Sequence, residues 1–256
     1  ANFRVNRWVA SSGAAASPAT LSTTGCVTGS TATRILDGLA VGADRVIYAC
    51  NYVTSGTHIF RLYSWTDESA TPANFFYGTY SAMGLAGGVG AKLAVYGTGD
   101  NAVFAVSSSS TSGTIIYKSG GTWISRPFTV GSTVFASGGA FIDYNSGTGT
   151  YRMIVKTAQT SGVLYSFTLG GSGAIVPSVS ASYSSPGTFG FVAYGVHNLS
   201  YDPVTKLIGT MSRVVGTSFT TLTNSLIAVG PTPDAPAATI TPPTGPVLLT
   251  KVTATA

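Results

Sequence analysis

Only 8% of the 256 residues are charged, with a net charge of +5, against roughly 25% charged residues in an ordinary soluble domain. Gly, Ser and Thr fill the gap, so hydroxyls and backbone wet the surface, as in secreted β proteins and in proteins of large assemblies. The thirteen basic residues are scattered singly, without the clustered stripe that phosphate tracking needs, and no nucleic-acid partner is expected.

The N-terminal stretch "FRVNRWVASSGAAASPATLST" (3–23) reads as a strand, a turn at Ser12-Gly13 and a second strand worn down to Ala and Ser. The same pattern recurs along the chain with an added leading strand. "DGLAV" (37–41), "RVIYACNYV" and "THIFRLYSW" flank a turn at Ser55-Gly56. "KLAVYG" (92–97), "AVFAVSSSS" and "TIIYKSGGTW" flank Ser112-Gly113. "AFIDYN" (140–145), "YRMIVKTAQ" and "VLYSFTLGG" flank Ser161-Gly162. "NLSYDP" (198–203), "KLIGTMSRV" and "TSFTTLTN" flank Val215-Gly216. A fourth, outer strand is expected in "NFFYGTYSA" (74–82), "SRPFTVG" (125–131) and "SVSASYSS" (178–185).

From Ser12 the turns follow at spacings of 43, 57, 49 and 54 residues, a unit of roughly fifty, the length of one propeller blade. Glycine in these turns is expected to supply the positive φ of a tight hairpin. The second strands are apolar at consecutive positions, as in Val46-Ile47-Tyr48-Ala49 and Val103-Phe104-Ala105-Val106. A sheet with one wet face alternates, whereas one covered on both faces does not. The predicted fold is therefore all-β: a five-bladed β-propeller over 1–230, with no helical periodicity. A Pro-rich linker (231–245) follows. Residues 246–256, "PVLLTKVTATA", then form a strand that closes the ring at the first blade, which lacks its leading strand, or that exchanges with a neighbour.

The uncharged stretch from Thr157 to Tyr201 is broken throughout by Gly, Ser and Pro and reads as no transmembrane helix. Strands apolar on both faces argue against a membrane barrel, whose lumen is polar. No membrane insertion is expected. Ala1 fits removal of an initiator Met or of a signal peptide, and no export signal is visible. Cys26 and Cys50 are read as two free buried thiols, with a single disulfide as the alternative.

The segment "GVHNLSYDPVTKLIGTMS" (195–212), and within it Asn198 to Met211, resembles the inner-strand repeat of NHL- and YVTN-type propellers. In these an apolar strand ending in Asp-Pro or Asp-Gly turns into a second apolar strand. The resemblance implies architecture and no activity. In composition the chain resembles bacteriophage tail and fibre proteins, including nozzle and attachment proteins, rich in Gly, Ser, Thr, Ala and Tyr and poor in charge. That likeness implies a non-enzymatic virion component whose partners are other virion proteins or copies of itself.

Glycoside hydrolysis needs two carboxylates about 5–10 Å apart. The single Glu, Glu68, falls in an outer loop, Asp44 and Asp100 fall in equivalent hairpin turns, and Asp37 and Asp143 fall on inner strands that could face a channel. His58 and His197 lie in different units, with no other ligand at metal spacing. Trp65 and Trp123 fall at nearly equivalent places after third strands. With Trp8 and thirteen Tyr they could serve a lectin-like site for a host-surface glycan, or pack one blade on the next. No catalytic, cofactor-binding or metal residue is assigned. The expected role is a structural or attachment component of a virion, with a secreted carbohydrate-binding propeller as the alternative.

Overall fold

The computed structural model describes residues 3–8, 12, 14–27, 33–108, 111–130, 141–158, 161–184, 199–202, 207–213 and 222–228. Among these the chain is all-β, built of antiparallel meanders, with one short 3-10 turn at Gly99–Asn101 and no α-helix. β1 (Phe3–Trp8) pairs with β2 (Ala15–Leu21). β3 (Thr33–Val41), β4 (Ile47–Val53), β5 (Ile59–Trp65) and β6 (Ala73–Thr79) form a four-stranded meander. β7 (Val89–Tyr96), β8 (Val103–Ser108), β9 (Ser112–Ser119) and β10 (Thr122–Thr129) form a second. One bridge, Val53 to Val89, joins these two into a single eight-stranded curled sheet. β11 (Phe141–Asn145), β12 (Thr150–Ala158), β13 (Ser161–Phe167) and β14 (Ser178–Ser184) form a third four-stranded meander. β15 (Leu199–Asp202), β16 (Leu207–Arg213) and β17 (Leu222–Ala228) form a three-stranded one.

Three apolar cores lie between successive meanders, the first of them against the β1–β2 pair. Leu21 and Cys26 pack on Ile47, Ala49, Tyr63 and Trp65, one face of the β3–β6 meander. The opposite face of that meander contributes Tyr48, Cys50, Phe60 and Leu62, which pack on Phe104, Val106 and Ile116. The remaining face of the β7–β10 meander, with Val103, Ala105, Ile115 and Phe128, packs on Ile142, Met153, Tyr165 and Phe167 of the third. Strands β4 and β8 are buried at nearly every position. The reason is that their sheets have a core on each side, which accounts for the consecutive apolar residues. Each large side chain so placed contributes about 1.5–3 kcal/mol, and the fully buried set includes Trp65, Phe60 and Phe104.

The Ser-Gly positions need correction. Ser55-Gly56 lies in the β4–β5 turn, but Ser112-Gly113 and Ser161-Gly162 are the first residues of β9 and β13. Gly56 and Gly113 do not take positive φ. The left-handed glycines are instead in other turns, such as Gly97 and Gly99 before β8 and Gly120 and Gly121 before β10. Gly113 is required for space: a Cβ there would stand 2.6 Å from Val106 O and 2.5 Å from Phe128 Cζ. The last third strand, expected over 217–224, begins at Leu222 and runs to Ala228. Gly13, Val215-Gly216, the linker and 246–256 lie outside the described residues.

Candidate functional site

The carboxylates that sequence singled out are placed as follows. Asp143, on β11, is 1% exposed and faces Arg152 across the ladder. Arg152 Nε donates to Asp143 Oδ1 at 2.9 Å and Nη2 donates to Oδ2 at 2.5 Å. This is a two-pronged ion pair of the kind that holds guanidinium and carboxylate in fixed register. Asp37, on β3, is exposed beside Leu36, whose φ of 77° marks an irregularity in the β3–β4 pairing. The two belong to different sheets, and Asp143 is committed to Arg152. Asp44 and Asp100 do sit in corresponding turns, before β4 and β8. Asp44 Oδ1 accepts from Val46 N at 3.2 Å, and Asp100 pairs with Lys118 at 2.7 Å. Glu68 lies in the β5–β6 loop as expected. Its neighbour Asp67 accepts from the Ser69 hydroxyl at 2.6 Å and from Ser69 N at 2.8 Å, bonds that hold its pKa below the ordinary 3.8.

His58 lies in the β4–β5 turn with Nδ1 buried and unpartnered, and His197 lies outside the described residues. Among the described residues no three His, Cys, Asp or Glu side chains are grouped to hold a metal ion. Cys26 and Cys50 are both free and buried, in agreement with the reading of two buried thiols. Burial pushes the Cys50 thiol up to about 12, so it is not a nucleophile near neutral pH. The tryptophans are not equivalent. Trp65 ends β5, buried, with Nε1 donating to Ser22 O at 2.9 Å. Trp123 is the second residue of β10, half-buried against Phe75 and Phe104 with ring centroids 5.0 and 5.8 Å away. Both serve packing between sheets. Trp8 is on β1.

Two arrangements were not visible in sequence. The first is Arg126 on β10, 8% exposed. Its guanidinium is wrapped by backbone carbonyls of the β13–β14 connection. Nε donates to Gly173 O at 2.7 Å, and Nη1 donates to Leu169 O at 2.9 Å and Gly170 O at 3.1 Å. Longer contacts run from Nη2 to Ala174 O and Ser172 O. Tyr117 OH also donates to Leu169 O, and Ile175 N donates to Pro127 O at 2.8 Å, beside a parallel bridge between Phe128 and Ile175. The loop is thereby fastened across two meanders.

The second is a tyrosine trio. Tyr144 and Tyr151 face each other across β11 and β12, with ring centroids 4.9 Å apart. Tyr96, at the end of β7, lies 6.3 Å from the first and 6.2 Å from the second. Phe167 stacks behind Tyr151 at 5.8 Å and 22°. All three tyrosines are half-buried, continuing the Ile142–Met153 row of the core. Among the described residues none of their hydroxyls has a hydrogen-bond partner. Burial, then the neighbouring Tyr144 and Tyr96 phenols, push the Tyr151 hydroxyl above its ordinary 10.0.

The fold defines an all-β class of protein made of antiparallel meanders. No protein-family model matches the chain, and no curated protein matches it. Among solved structures it is similar to a DUF4623 family protein from Bacteroides eggerthii, with TM-score 0.51 and 14% identity over 84% of this chain. The chain spans about half, 47%, of that protein's length. It is also similar to a protein of unknown function from Bacteroides caccae, with TM-score 0.43 and 11% identity over 87% of this chain and 69% of the other. The first likeness is one of fold alone.

Proposed function

We propose that this chain is a non-enzymatic structural or attachment component of a virion, of the phage tail or fibre kind. It acts through contacts with other virion proteins or copies of itself. The observation that carries this reading is where the scarce charge lies. Of the 13 basic and 8 acidic residues, Arg126, Asp143 and Arg152 are buried and satisfied inside the chain, which makes the charge left for the surface scarcer still. Such a surface has little to offer long-range steering and suits permanent, less charged interfaces. The experiment is mass spectrometry of particles purified through a gradient at about 1 M salt, where the Debye length is roughly 3 Å. The chain is expected at a fixed ratio to the other particle proteins. Its absence, or its release by the salt, would contradict the proposal.

In the same reading the sheets are blades of a five-bladed propeller, closed by 246–256 pairing beside the N-terminal sheet. Two observations support it. The cores follow one another face to face from the first sheet to the β11–β14 meander. Among the described residues the β1–β2 sheet has two strands where the next three meanders have four each, which leaves room for the pairing that closure would supply.

A further inference from the structure

We propose that Tyr96, Tyr144 and Tyr151 form a binding site for a pyranose ring of a neutral glycan, a role separate from assembly. A pyranose presents an apolar C–H face and a rim of hydroxyls, so its receptor needs aromatic surface and hydrogen-bonding groups at the same place. Tyrosine supplies both in one side chain. The three rings come from two adjacent meanders and meet where the β7–β8 and β11–β12 turns lie side by side.

Packing alone does not account for these hydroxyls. A buried tyrosine ordinarily finds a partner for its oxygen, and other tyrosines of this molecule do. Tyr63 OH accepts from Val27 N, Tyr117 OH donates to Leu169 O, and Tyr165 OH donates to Val130 O. At the half-buried trio, phenylalanine would fill the same space, yet none of the three hydroxyls has a hydrogen-bond partner among the described residues. The rings are also preset. Phe167 backs Tyr151, and the core row of Ile142 and Met153 runs beneath, so little ordering entropy is lost on binding.

The ligand is neutral because the surroundings are. The adjoining turns carry Thr98, Asn101, Thr148 and Thr150, and Asp100 is paired with Lys118. Asp143 and Arg152, one position along the ladder, point to the opposite face of the hairpin and neutralise each other.

The test is a glycan array bearing neutral and acidic glycans, probed with the chain tetramerised on streptavidin so that weak sites register through avidity. Titration with the best neutral hit follows. Neutral glycans should bind. Tyr96→Phe and Tyr144→Phe, which keep the rings, should each weaken binding about fivefold, the worth of one hydrogen bond, at an unchanged melting temperature. Absence of any neutral hit, preference for acidic glycans, or binding that the double phenylalanine variant leaves unchanged would each overturn the proposal.

Discussion

Gly113 sits at a close approach of strands in the β7–β10 meander. It opposes Ser107 on one side and Phe128 on the other, and a Cβ would meet Val106 O, a backbone atom that cannot swing away. Gly56 differs: its nearest neighbour is the Tyr80 hydroxyl at 3.2 Å, the end of a flexible side chain. Gly113→Ala should therefore cost about 1–3 kcal/mol as overpacking, read as a lower urea midpoint at unchanged slope. Gly56→Ala should cost clearly less. Equal losses at the two sites would show that the spacing argument is wrong. The two glycines look alike in sequence because both follow a serine after an apolar strand. What separates them is which neighbouring strand presses on them, and local sequence does not carry that.

At the level of the element, strands were legible wherever burial was two-sided. β4 and β8 show in consecutive apolar residues, and the outer strands β6 and β14 fall within the stretches expected at 74–82 and 178–185, apart from Ala73 at the start of β6. β10 instead begins at Thr122, inside the stretch expected to be the third strand, because Gly120-Gly121 makes a tight turn there. The Arg126 clasp was not legible. An arginine satisfied by an acid leaves a partner to search for, whereas this one is satisfied by carbonyls of Leu169, Gly170 and Gly173, which every sequence possesses. The tyrosine trio was hidden by distance, since Tyr96 and Tyr151 are brought together only by the stacking of two meanders. If the clasp fastens the β13–β14 connection, Arg126→Met should release it. The Ile175 amide, bonded to Pro127 O at 2.8 Å, should then exchange with deuterium roughly 10–30-fold faster, equivalent to about 2 kcal/mol. Arg126→Lys, with three donors on one nitrogen, should recover part of the protection. Exchange at Ile175 that is indifferent to both substitutions would mean that the bridge to Phe128 holds the loop by itself.

For the whole molecule, the cores between successive sheets explain how a chain so poor in charge and so rich in Gly, Ser and Thr folds. From β1–β2 to the β11–β14 meander each unit covers the next. Among the described residues the buried charges are satisfied by one another, as Arg152 and Asp143, or by backbone, as Arg126. Such a stack is complete only when its first and last sheets are also covered or paired. The proposed ring closure rests on residues 246–256, a stretch whose sequence includes the apolar residues Val247, Leu248, Leu249 and Val252. The direct measurement is the thermal unfolding of the chain with and without 246–256, with sedimentation of both. Four apolar side chains at about 1.5–3 kcal/mol each, and a fall of roughly 2–4 °C per kcal/mol, predict a melting temperature at least about 10 °C lower, or loss of the cooperative transition. A truncated chain that melts within a few degrees of the parent would contradict ring closure. If it also lost self-association, that would assign the tail to a neighbouring subunit.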